Sequence, residues 1–275
     1  MDIFLRSTGQ QNRCGMIAVT VVLVLTVSVT TFAQPSVYDG PRTADGRPDF
    51  NGVWQALTAA SWDIEAHSAE QGVPAGQGIV EKGPIPYHPV MLARKLENGL
   101  HRRERDPLHR CYMPGVPRIM YMPFPFEITQ TAELILMNFE YGHVTRLIYT
   151  DGSERREGFP SFWMGDSRAH WEGDTLVVDV AQFTDQTWLD RAGNFHSDAL
   201  HLIERYTPMS ATHLQYEVAV DDPVVFTRPW TMSFPLYRRL ETDVQVLEYE
   251  CLEFMEPFLP WHASPAPGVP GKPGR

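Results

Sequence analysis

The chain has 275 residues, of which 43% are hydrophobic and 21% charged, a composition typical of globular proteins and unlike that of disordered or polytopic membrane chains. That length accommodates one large domain or two small ones. The formal net charge is −11, and an acidic surface repels phosphate backbones and anionic lipid headgroups. We therefore expect neither nucleic acid nor a membrane surface as a partner.

The first 33 residues have the pattern of a secretory signal peptide. Arg6 and Arg13 precede an apolar run over residues 16–29, and Ala33 places a small residue at the expected cleavage point. The run of about 14 residues is shorter than the roughly 20 that a membrane-spanning helix needs, which favours cleavage over an uncleaved anchor. The mature chain is expected in the periplasm or outside the cell, with no stable membrane insertion after cleavage.

Two cysteines remain after this cleavage, Cys111 and Cys251. In an oxidising compartment they would most simply form one disulfide, and the alternative is a pair of buried thiols. The disulfide is favoured because both residues lie beside strand-like sequence.

One helix is expected, over residues 89–105, outside an otherwise β domain that spans residues 34–263. Its apolar positions Val90, Ala93, Leu96 and Leu100 fall at helical spacing behind Pro89. The Pro/Gly-rich segment 264–275 is predicted to be a disordered tail.

Short runs rich in Val, Ile, Leu, Tyr and Thr fill the rest of the chain and predict β-strands. Their short links favour antiparallel hairpins, and so many strands must either close or form two packed sheets. The fold class is thus mostly β, an antiparallel lipocalin-like barrel or sandwich with one peripheral helix. The predicted strands are 50–57, 126–130, 133–141, 143–149, 168–171, 175–181, 198–206, 213–220, 224–233 and 244–251.

The segment Gly52-Val53-Trp54 resembles the Gly-x-Trp opening strand of lipocalin-like barrels. In those folds the Trp plugs the base of the barrel and an Arg from a late strand stacks over it. The resemblance implies this role for Arg238 or Arg239. A core Trp on a first strand, without any such partner, is the alternative.

A series of blocks resembles a large, functionally uncharacterised family of secreted bacterial proteins. The resemblance covers most of residues 48–251 and implies secretion, but it implies no reaction. The chain departs from the family pattern after Cys251, where apolar residues replace polar ones. The blocks are 48–54 (PDFNGVW), 111–118 (CYMPGVPR), 163–167 (WMGDS), 171–179 (WEGDTLVVD), 188–193 (WLDRAG), 196–200 (HSDAL) and 204–206 (ERY).

Residues 188–198 hold the densest set of side chains suited to acid–base catalysis. His196 titrates near neutral pH, and Asp190 could orient it. Strand alternation places Glu204 on the same face as His196, deeper in a cavity if that face points inward, and an inward Glu204 would need a base such as Arg146 as its partner. If the other face points inward, His201 lines the cavity instead. The alternative is a polar structural loop.

Metal and cofactor sites are not expected. His143, His170, His196 and His201 could meet Glu140 or Asp190, but no HxxxH, HxH or CxxC spacing is present. Phosphate-binding, dinucleotide-binding and serine-hydrolase motifs are also missing from the sequence.

A cavity for a small, largely apolar molecule is the functional expectation. It would serve either binding and delivery of a hydrophobic metabolite or cofactor-free isomerisation, elimination or hydrolysis. A structural envelope protein without a cavity is the third alternative. The expected ligand-binding residues are Phe126, Tyr141, Arg146, Trp163, Trp188 and His201.

Overall fold

The computed structural model describes residues 38–251, except Glu157 and Phe159. The predicted signal peptide and the predicted tail at 264–275 lie outside the described residues. Nine strands form one closed barrel in chain order, which confirms the mostly β fold class. The strands are β1 Gly52–Ala56, β2 Phe126–Gln130, β3 Leu134–Phe139, β4 Thr145–Tyr149, β5 Asp166–Glu172, β6 Thr175–Ala181, β7 His201–Ser210, β8 His213–Asp221 and β9 Trp230–Arg238.

All neighbouring strands pair antiparallel except β4 and β5, which pair in parallel at only two positions, Ile148 with Ser167 and Tyr149 with Arg168. Residues 150–165 connect these two strands, and a connection of that length permits the crossover that a parallel pair requires. The barrel therefore has one seam held by few backbone hydrogen bonds.

The last predicted strand, 244–251, is wrong. Strand β1 pairs with β2 on one side and with β9 on the other, so the barrel closes without a further strand. Only an isolated bridge joins Tyr249 to Tyr141 in that segment. The strand predicted at 224–233 starts later, at Trp230, because the amides of Val225 and Phe226 turn back to the Asp222 carbonyl.

Arg238 lies over the ring of Trp54, a core residue of β1. Trp54 is completely buried, and the Arg238 guanidinium carbon lies 4.6 Å from the centre of its ring. Arg238 also donates to the carbonyls of Asp49 and Asn51, at 2.7 and 2.6 Å. These bonds fix the cation over the ring face, where the ring quadrupole attracts it. The expected stacking of a late-strand Arg on Trp54 is found with Arg238, whereas Arg239 binds Glu241.

The predicted helix divides into α1, Pro89–Leu100, and α2, Arg102–Arg105. Helix α1 packs on the chain around Gly193 through Asn98 and Gly99, where a Cβ on Gly99 would lie 2.7 Å from the Ala192 carbonyl oxygen. Two 3₁₀ turns follow, Pro107–Arg110 and Arg118–Tyr121. No helix within residues 38–251, the two gaps aside, is long and apolar enough to cross a bilayer.

Cys111 and Cys251 lie at disulfide distance, with their Cα atoms 5.5 Å apart, so the predicted pairing is confirmed. The bridge attaches the end of the described chain to the first 3₁₀ turn. A small apolar cluster surrounds it, made of Leu108, Met122 and Tyr141 with Phe124.

Candidate functional site

A buried ion pair lies inside the barrel. Arg146 on β4 and Glu204 on β7 are both excluded from solvent, and two N–H groups of Arg146 donate to the two oxygens of Glu204. Tyr216 and Tyr206 donate their hydroxyls to the same carboxylate, at 2.7 and 3.2 Å. The expectation that an inward Glu204 takes Arg146 as its partner is confirmed.

Every donor of Arg146 has a partner within the barrel. Its Nε and Nη2 atoms lie 3.2 and 3.0 Å from the Ser167 hydroxyl on β5, and Nη1 also contacts Tyr206 at 3.3 Å. Burial lowers the pKa of Arg146, but the Glu204 carboxylate outweighs burial and raises that pKa above its ordinary value. The charged side chain therefore links β4 to Ser167 on β5 and to Glu204 on β7, and no N–H group is left for a ligand.

His196 is buried and has a partner for each ring nitrogen. Its Nδ1 lies 2.8 Å from the Ser197 carbonyl, which can only accept, so Nδ1 carries the hydrogen and Nε2 is the acceptor. The Thr187 hydroxyl lies 2.6 Å from Nε2 and donates to it. Burial lowers the pKa of His196 below its ordinary value of 6.5, which keeps the ring neutral. Sequence reasoning missed Thr187.

Close packing around Thr187 depends on a glycine. Gly115 has a φ of +75°, and a Cβ at that position would lie 2.6 Å from the Thr187 hydroxyl oxygen. Any larger residue would be strained in this conformation and would displace the hydroxyl from His196. The glycine of the 111–118 block therefore has a packing role.

The buried, neutral His196 should make stability depend on pH. A lowered folded pKa means that the unfolded chain binds a proton more readily, so stability is full above pH 6.5 and falls as the pH drops below it. We expect the stability difference between wild type and His196→Gln to shrink between pH 7.5 and pH 5, as measured by urea unfolding. Thr187→Val keeps the buried ring and should keep the pH dependence. An unchanged difference for His196→Gln would contradict the prediction.

Asp190 does not orient His196, as the sequence suggested, but holds a loop together. Its carboxylate accepts from the amides of Ile64, Ala192 and Asn194 and from the Asn194 side chain. Burial raises the pKa of Asp190 to about 7, aided by Asp63 and opposed by the Ile64 amide and Asn194. No hydrogen bond within the described part of the chain joins any two of the predicted catalytic residues Asp190, His196 and Glu204, so their catalytic role stays a prediction.

A cleft of about 680 Å³ opens along the β4–β5 seam. Ser167 and Arg146 lie at its base, and Asp166 pairs with Arg168 at 2.8 Å on one wall. Arg168 also stacks on Tyr149, 4.4 Å from its ring centre. Six large apolar or aromatic side chains line the cleft: Met113, Leu147, Tyr149, Phe162, Trp163 and Met164. Ten polar residues line it as well: Thr145, Arg146, Asp151, Ser153, Glu154, Arg156, Ser161, Asp166, Ser167 and Arg168.

Two of the six predicted ligand-binding residues, Trp163 and Arg146, line this cleft. The other four lie elsewhere. Phe126 packs on Phe139 in the core, 5.0 Å between ring centres, and Tyr141 lies in the cluster around the disulfide. Trp188 forms an isolated backbone β-bridge with Phe195. His201 is partly exposed on β7 and contacts Asp179 at 2.7 Å.

Leu147 and Phe162 are exposed in the cleft, and sequence reasoning missed Leu147. One signal was available for Leu147. Strand β4 buries Arg146 and Ile148, so alternation turns Leu147 outward, where a solvent-facing strand normally carries a polar residue. Apolar residues on both faces of a short strand indicate a covered or ligand-facing outer wall.

Among the described residues, no three His, Cys, Asp or Glu side chains are grouped closely enough to hold a metal ion. Comparisons with protein-family models, with curated proteins and with solved structures found no match.

Proposed function

We propose that this chain is a secreted binding protein that holds a small, largely apolar molecule in the β4–β5 cleft. One observation carries the proposal, a cleft of about 680 Å³ lined by six large apolar or aromatic side chains. Small-molecule sites usually occupy roughly 300–1,000 Å³ and combine such walls with a few polar groups. The signal-peptide pattern, the paired cysteines and the family resemblance support secretion.

The polar groups of the cleft suggest how the ligand is oriented. Among them, the Asp166–Arg168 pair and Ser153 lie together, with the Arg168 guanidinium over the Tyr149 ring. An aromatic ring of the ligand can stack beside these planar groups, and a single polar substituent can reach Ser153 or Asp166. A mainly apolar molecule with one polar end fits this chemistry.

Binding without a chemical step is favoured over catalysis. Asp190, His196 and Glu204 do not line the cleft, and each is engaged with structural partners. The charge of Glu204 is already matched by Arg146. A general base must come within hydrogen-bond reach of its substrate, which these side chains do not offer to a molecule in the cleft.

The cleft is tested with Leu147→Arg. Native mass spectrometry of the mature protein from its own periplasm or culture medium first identifies a retained molecule, and titration calorimetry then measures its affinity. We expect the affinity for the retained molecule to be at least tenfold weaker in Leu147→Arg. The larger, charged side chain occupies space in the cleft and replaces an apolar contact with a group that must stay hydrated. Leu240→Arg is the matched control, since Leu240 is exposed and outside the cleft.

Equal affinity for wild type and both variants would overturn the cleft as the binding site. Release of a chemically altered molecule by the wild-type protein, lost in His196→Ala with affinity retained, would instead favour the enzyme. An envelope protein predicts that no molecule is retained at any stage of purification.

A further inference from the structure

The outer face of α1 is apolar and exposed. Val90, Leu96 and Leu100 have 74, 56 and 84% of their surface exposed, and Ala93 lies among them together with Glu97, which pairs with Arg105. Val90, Ala93, Leu96 and Leu100 are the positions whose helical spacing predicted the helix. The opposite side, with Asn98 and Gly99, packs on the barrel. An amphipathic helix normally buries its apolar stripe, so this face lacks its partner among the described residues.

The segment that follows the disulfide is rich in apolar residues. Residues 252–261 read LEFMEPFLPW, and six of these ten are large and apolar: Leu252, Phe254, Met255, Phe258, Leu259 and Trp261. They lie outside the described residues. Burying the apolar side chains of this segment is favourable for the same reason as covering the exposed face of α1, since both remove apolar surface from water.

The disulfide places the start of this segment beside the helices. Cys251 is bonded to Cys111, which directly follows the 3₁₀ turn after α2, and Arg105 of α2 donates to Glu97 of α1 at 2.9 Å. Ten residues in extended conformation span roughly 33 Å, whereas the 12 residues of α1 are only about 18 Å long. The segment can therefore reach the whole apolar face.

Charge favours the same arrangement. A small cleft close to Cys111 is lined by Arg102, Arg103, His109 and Arg191 together with Trp62. This basic patch is unusual on a chain of net charge −11. Residues 252–261 carry two glutamates, Glu253 and Glu256, and no basic residue. Opposite charges at the start of the segment would guide it across α2 toward α1.

We propose that residues 252–261 of this chain dock on the apolar face of α1, with Glu253 and Glu256 directed to the basic cleft. The covalent tether makes the encounter intramolecular, and a short tether provides an effective concentration on the order of millimolar. A weak apolar contact is then enough to keep the face covered. The disulfide thus serves to deliver this segment to the helix as well as to close a loop.

The test places a photocrosslinker on the face in the full-length, oxidised mature protein. Leu96→p-benzoylphenylalanine is irradiated at low concentration, and the crosslinked peptides are mapped by mass spectrometry. We expect a crosslink within one chain to residues 252–261. Met209→p-benzoylphenylalanine is the matched control, because Met209 is exposed to a similar extent, 65% against 56% for Leu96, and lies near the end of β7 instead of on α1.

Hydrogen exchange gives an independent readout. In wild type, the amides of 252–261 should exchange at least fivefold more slowly than in the variant Leu96→Asp/Leu100→Asp, whose surface changes leave the packed side of α1 intact. Crosslinks between two chains would assign the face to a second copy and overturn the proposal. Equal exchange in both proteins, or a Leu96 crosslinker that labels no residue of 252–261, would overturn it as well.

Discussion

Replacing Arg146 with methionine should lower the free energy of unfolding by about 3–5 kcal/mol, the usual cost of leaving a buried charge without its partner. Glu204 would keep the two tyrosine hydroxyls but lose the guanidinium that neutralises it, in a position excluded from solvent. The hydrogen bonds from Arg146 to Ser167 would be lost too, and they join β4 to β5 where backbone pairing is sparse. Urea unfolding at pH 7 measures the loss.

Two controls separate charge burial from general damage. The double variant Arg146→Met/Glu204→Leu removes both charges and should recover most of the lost stability, since apolar replacement of a buried pair is often close to neutral. Arg205→Met removes one partner of the exposed Arg205–Glu172 pair, which water screens, and should leave the stability close to that of wild type. Equal losses in the single and double Arg146 variants would show that packing, and not the unpaired charge, determines the effect.

The barrel was predictable because its signals are local. Alternating apolar residues and short turns specify hairpins, and β2 and β6 coincide with the predicted strands 126–130 and 175–181. The pairing of Trp54 with Arg238 followed from a resemblance rather than from the pattern. The strand predicted at 244–251 was wrong because β1 and β9 already pair with each other, so no free strand edge is left for this segment to pair with.

The cleft was not predictable because it arises from a long-range pairing. Residues 150–165 carry the chain from β4 to a parallel β5, and no local pattern specifies where such a connection lands. Aromatic content alone could not separate Trp163, which lines the cleft, from Phe126, which fills the core. The direction in which each side chain points depends on strand pairing.

For helix α1, the sequence pattern predicted the helix but not the side that packs on the barrel. The spacing of Val90, Leu96 and Leu100 correctly predicted a helix, but the apolar stripe is not the side that faces the barrel. Asn98 and Gly99 make that contact because the helix backbone approaches the Gly193 loop too closely for larger residues. Periodicity therefore identifies the element, and tertiary contacts decide which face is covered.

Removing the disulfide through Cys111→Ala/Cys251→Ala should cost about 4–5 kcal/mol, because the bridge closes a loop with a sequence separation of 140 residues and restricts the unfolded chain. That loss is comparable with the whole stability of a marginal domain. Urea unfolding of the variant, of wild type and of wild type reduced by dithiothreitol measures it. The variant and the reduced protein should agree, since both lack the crosslink.

A local part of the effect should be visible before global unfolding. Besides the disulfide, three contacts hold residues 244–251 in place. The Gly142 amide donates to the Tyr249 carbonyl, His143 pairs with Glu250, and the Leu247 amide donates to the Glu140 carboxylate. All but the first of these bonds are exposed and weak, so hydrogen exchange in 244–251 should accelerate in the variant while β6 and β7 stay protected. A stability loss below about 1 kcal/mol with unchanged exchange would mean that the Tyr141 cluster holds this segment without the bridge.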